Sequence, residues 1–61
     1  MTPTMTFNQK YTALATLDVR MDRIRRLLET ESDPEQRVDL KETLEDLQSA
    51  YAAIEAIETE D

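Results

Sequence analysis

The chain has no glycine at any of its 61 positions. Glycine is the residue that enters φ > 0 without steric cost, and tight β-hairpin turns and phosphate-cradling loops are built on that freedom. A chain lacking it is steered toward helices joined by turns that ordinary L-residues can make. Proline stands only at Pro3 and Pro34. Two long stretches therefore run without a helix breaker, one on each side of Pro34.

Both stretches carry a helical period. Phe7, Leu14, Met21 and Leu28 fall seven apart, with Leu17 and Ile24 between them. Lys10 and Glu31 take the outer positions of that second row, which makes the seam wettest at its ends. Tyr11, Ala13 and Leu27 widen the stripe. In the second stretch Leu40, Leu47 and Ile54 are seven apart and Leu44 and Tyr51 interleave. Ala50, Ala53 and Ile57 widen that stripe, and Val38 caps its start. Most other positions are charged or polar, and nothing alternates as a strand would. The pattern predicts two amphipathic, coiled-coil-like helices over about 7–31 and 34–58.

The break between them is "ETESDPEQR", residues 29–37. Pro34 fits a first helical position and disfavours helix at Asp33, which places the turn at about 32–33. Asp33 with Gln36 has capping-box spacing, and Glu35 suits the first turn. Thr6 with Gln9 repeats the box at the front, and Thr2–Pro3 is an alternative start. Glu29, Glu31, Asp33 and Glu35 superficially suggest a calcium loop. Such a loop needs a glycine for its sharp bend and a distal glutamate, so these acids read as a turn. A linker this short makes the helices antiparallel neighbours. The register expected pairs Leu14 with Tyr51, Leu17 with Leu47, Met21 with Leu44, and Ile24 with Leu40. Glu55, Glu58, Glu60 and Asp61 then lie beside the positive end of helix 1, and Arg25 and Arg26 near its negative end.

The predicted fold is thus all-α, a single antiparallel two-helix hairpin over residues 1–61. A domain of this size buries only about 60% of the surface its unfolded chain exposes. Such domains usually lean on a disulfide, a metal or a partner. Cysteine and histidine are absent, so no disulfide forms and no zinc site of the usual kind is expected. A partner is left. Ala13 and Leu27 on helix 1, and Ala50 and Ile57 on helix 2 with Thr43 between, flank one side of the seam. With Phe7 and Tyr11 they form the expected association face. A homodimer closing into a four-helix bundle is the economical solution. In length, hairpin form and heptads the arrangement resembles the Rop family of dimerising helical hairpins. No motif is shared, and no functional residue carries over.

Charge and chemistry narrow the function. Residues 1–34 hold five basic and five acidic groups, and residues 35–61 hold two basic and nine acidic, so the whole net charge of −7 falls in the second part. Such a surface repels nucleic acid at long range. The one basic run is "RMDRIRR", residues 20–26, in which Asp22 is placed to pair with Arg26 and Arg25 with Glu29. Arg20 and Arg23 share a side and are candidate contacts, as are Glu42, Glu45 and Asp46 in the acidic half. No nucleophile–base pair or carboxylate–histidine set is visible, so neither catalysis nor a cofactor is expected. No stretch is apolar enough to span a membrane, and the start lacks a signal-peptide pattern. A cytoplasmic location is the expectation. The function expected is a non-enzymatic protein–protein interaction module that self-associates and binds, assembles or inhibits a protein partner, as small phage-encoded inhibitors do. The alternatives are a Rop-like nucleic-acid binder using Arg20 and Arg23, and a structural subunit of a larger assembly such as a virion.

Overall fold

A computed structural model describes residues 3–60. Two short strands frame two long helices: β1 (Thr4–Met5), α1 (Phe7–Thr30), α2 (Pro34–Glu55) and β2 (Glu58–Thr59). The helices pack on each other as an antiparallel hairpin.

Helix α1 begins where the capping box places it. Thr6 is extended at φ −69°, ψ 157°, and its hydroxyl accepts the Gln9 N–H at 3.1 Å. The Gln9 side chain accepts the Thr6 N–H in return at 3.0 Å. A cap of this kind contributes about 1 kcal/mol. The alternative start at Thr2–Pro3 is not used, and Thr2 itself lies outside the described residues, as does Asp61.

The turn is built differently from the expected second box. Asp33 caps α2, but its carboxylate accepts from Glu35 N–H at 3.0 Å. The Asp33 N–H, which Gln36 would have taken, donates instead to the Glu31 carboxylate at 3.0 Å. Glu31 reaches it first because α1 ends at Thr30 and Glu31 is already extended, at φ −79°, ψ 122°. The two central acids of the turn thus serve backbone donors.

Helix α2 stops at Glu55, short of the expected 58. Ile57 N–H folds back onto the Ile54 carbonyl at 3.0 Å, tightening the last turn. The released chain forms β2, which pairs in parallel with β1, Thr4 opposite Glu58 and Met5 opposite Thr59. Glu60 N–H donates to Met5 O at 3.1 Å, and the Thr4 hydroxyl donates to the Glu60 carboxylate at 2.8 Å. This two-strand clasp joins both ends of the described chain, where the sequence reading expected no strand.

The seam follows the heptads, but the core is small. Among the described residues only Met21 (5% exposed) and Ile24 (8%) are buried. Leu14, Leu17 and Leu28 on α1, and Leu40, Leu44, Leu47, Tyr51 and Ile54 on α2, are half-buried. Leu14 and Tyr51 line one hollow, in keeping with the expected register.

Each helix also caps the other. Lys10 Nζ donates to the Ile57 carbonyl at 2.7 Å, just past the end of α2. Arg37 Nη1 donates to the Leu28 carbonyl at 2.6 Å and to the Glu31 carbonyl at 2.9 Å, at the end of α1. Lys10 and Arg37 are each the fourth residue of their helix, and both are half-buried. In an antiparallel pair that position lies beside the neighbour's negative end, where orphan carbonyls need donors. Arg25 and Arg26 do not do this for α1, whose last turn contains no basic residue.

The result is a single layer. The Cα extents are 45 × 19 × 9 Å and the radius of gyration is 14.3 Å. A compact domain of this length would have a radius of gyration of about 10.5 Å.

Candidate interaction surfaces

Successive residues of an α-helix are turned by about 100°, so the positions flanking a seam fall on two opposite sides. On one side lie Ala13, Arg20 and Leu27 of α1, facing Thr43 and Ala50 of α2, with Ile57 just past the end of that helix. We refer to this as the alanine side. On the other lie Tyr11, Asp18 and Arg25 of α1, facing Lys41, Gln48 and Glu55. We refer to it as the tyrosine side. The six residues expected to form one association face are therefore divided. Tyr11 and Ala13 are about 200° apart around α1. Phe7 goes with Tyr11, their rings stacked at 6.2 Å between centroids and 17° between planes.

The alanine side carries small and aliphatic residues around one arginine. Leu27 is 48% exposed, whereas Ala13, Ala50 and Ile57 are half-buried. Thr43 is exposed, but its hydroxyl donates to Asp39 O of its own helix at 2.9 Å, which leaves its methyl group to face outward. Arg20 stands between Ala13 and Leu27 and is exposed. Arg23 borders this side on α1, and Asp39 and Asp46 border it on α2, all exposed. One edge is thus basic and the opposite edge acidic. Glu42 points to the back of α2 and Glu45 toward the tyrosine side, so the three acids singled out in the sequence do not converge. In the basic run, Asp22 pairs with Arg26 at 3.0 Å. It is the one ion pair among the described residues, so Arg25 and Glu29 do not pair as expected.

The tyrosine side carries two exposed aromatic rings and two hollows. Phe7 is 59% and Tyr11 66% exposed. A hollow of about 270 Å³ lies between Phe7, Lys10, Tyr11, Leu14 and Thr59. A second, of about 230 Å³, lies between Tyr11, Leu14, Ala15, Asp18 and Tyr51. Tyr11 and Leu14 are common to both, so the two form one continuous depression. Such volumes fall below the roughly 300–1,000 Å³ of ordinary ligand pockets and are open to solvent.

Among the described residues no group of three or more acids is placed to hold a metal ion, and no helix is long and apolar enough to cross a membrane. Sequence reasoning overlooked Lys10 and Arg37 as cross-helix caps. Their signal was a cation at a seam position in the first turn of each helix. Compared with protein-family models, curated proteins and solved structures, the chain gives no match in any of the three.

Proposed function

We propose that this protein is a non-enzymatic interaction module whose hairpin pairs with a second copy through the alanine side, forming a four-helix bundle that binds, assembles or inhibits a protein partner. The observation that carries this is the missing second layer. The chain exposes 4,870 Å², against about 4,100 Å² for a compact monomer of 7.1 kDa. The excess is close to the roughly 800 Å² that each partner gives to a standard interface. A face of 45 by 19 Å has room for it.

Charge favours a second copy over an unrelated chain. Turned about a twofold axis, α1 of one protomer lies on α2 of the other. Arg20 and Arg23 then meet Asp39 and Asp46 across the interface, twice over. Isologous pairing of this kind is the commonest oligomer geometry.

Leu27→Glu tests it. Leu27 is half-exposed, so the change costs the hairpin little, but it puts a carboxylate in the bundle's dry layer. The expected result is a helical wild-type dimer and a Leu27→Glu variant that sediments as a monomer with a reduced melting temperature. A variant that associates as the wild type does would remove the alanine side as the interface.

A further inference from the structure

Self-association through the alanine side leaves the tyrosine side uncovered. We infer that the depression between Tyr11 and Tyr51 is a docking site for a basic amphipathic helix of another protein. The inference goes beyond self-association, because it uses the opposite side of the seam.

The floor of the site is largely apolar. Tyr11 is two-thirds exposed, stacked on Phe7, and separated from Tyr51 by Leu14 and Ala15. An exposed tyrosine beside a shallow hollow is a common hot-spot arrangement, since the ring contributes area at low entropic cost. The hollow has room for an aliphatic side chain of a visiting helix, and its length along α1 suits anchors spaced by one helical turn.

The rim is acidic. Asp18 lines the hollow, and Glu55 lies one turn beyond Tyr51 on the same side of α2. Thr59 lines the adjoining hollow, and its strand neighbour Glu58 and the following Glu60 alternate to the other face, where Glu60 accepts from the Thr4 hydroxyl. The nearest cation, Lys10, is committed to the Ile57 carbonyl. Arg25, the next cation on this side of α1, is about 21 Å along the helix from Tyr11. Lys10 keeps its charge, but Asp18 and Glu55 outnumber it, so this end of the side is net negative. An acidic rim around an aromatic floor selects a partner with arginine or lysine beside its apolar anchors. It also disfavours a second copy, which would bring the same acids against each other.

The site has a built-in reporter. The chain has two tyrosines and no tryptophan, and both tyrosines line the hollow. The test is a titration of the full chain with a synthetic helical peptide of about 16 residues, with leucines at i, i+3, i+4 and i+7, arginines elsewhere, and no aromatic residue. Tyrosine fluorescence and amide chemical shifts are read together. Saturable binding that weakens with salt is expected, with shifts centred on Tyr11, Ala15 and Asp18. Tyr11→Ala and Asp18→Lys, both at exposed positions, should each weaken it about tenfold, the scale of a hot-spot truncation. A version of the peptide with glutamates in place of the arginines should not bind. Leu27→Glu should bind the arginine peptide as the wild type does, which separates this site from the self-association face. The inference is overturned if the arginine peptide fails to bind, if both variants bind it unchanged, or if the shifts centre on Leu27 and Ala50. It is also overturned if raising the protein concentration alone buries Tyr11, which would assign the depression to a second copy.

Discussion

Ile24→Ala is expected to remove about half of the hairpin's stability. Truncating a buried isoleucine costs about 2–5 kcal/mol, from lost transfer energy and the cavity left behind. A chain of this length has a total stability of only about 3–9 kcal/mol. Ile24 and Met21 are the two buried residues among those described, so no deeper core is there to compensate. Circular dichroism should show a melting temperature lowered by roughly 10–30 °C, and partly restored at high protein concentration if the proposed self-pairing stabilises the fold. Val19→Ala is the control, since Val19 is 69% exposed on the outer face of α1 and the change should fall within about 0.5 kcal/mol. Equal melting of the two variants would mean that the seam's centre is not the core.

The second large effect is expected at Arg37. Arg37→Met keeps an apolar stem of similar length and removes the guanidinium. Two charge-assisted bonds to the Leu28 and Glu31 carbonyls are lost together, leaving the end of α1 with unpaired acceptors. Hydrogen bonds to charged groups contribute about 1.5–3 kcal/mol, and the half-buried setting, with water able to take over part of the role, puts the pair near that range as a whole. For a domain of this size, the melting temperature should fall by roughly 10 °C. Arg25→Met, at an exposed position outside the one ion pair among the described residues, should change it by only a degree or two. If Arg37→Met melts like Arg25→Met, the reciprocal capping contributes nothing to stability.

Much of the fold was legible because the signals are local or periodic. The heptads from Phe7 to Leu28 and from Leu40 to Ile54 give the hairpin. Thr6 and Gln9 give the start of α1, where both arms of the box form. The features that were missed depend on what lies across the hairpin. Lys10 and Arg37 read as flaws in an apolar seam until the antiparallel arrangement puts each beside the other helix's carbonyls. The clasp between Thr4–Met5 and Glu58–Thr59 is too short to show alternation. It shortens α2 because Ile57 and the residues after it leave the helix to pair with the start of the chain. Glu31 displaced Gln36 at the turn because one residue had already left α1, an outcome that spacing alone does not reveal. The grouping of Phe7 and Tyr11 with Ala13, Leu27, Ala50 and Ile57 followed from their shared apolar character. Helical rotation instead puts Tyr11 on one side and Ala13, Leu27 and Ala50 on the other, with Ile57 beyond the end of α2.

The measurement that bears most directly on the central claim is the sedimentation-equilibrium mass of the wild-type chain from micromolar to near-millimolar concentration, with helicity recorded at each point. Self-pairing predicts a mass rising to twice the 7.1 kDa of the chain, with helicity and melting temperature rising alongside it. A mass of 7.1 kDa at every concentration, with helicity unchanged, would contradict it and return the alanine side to solvent.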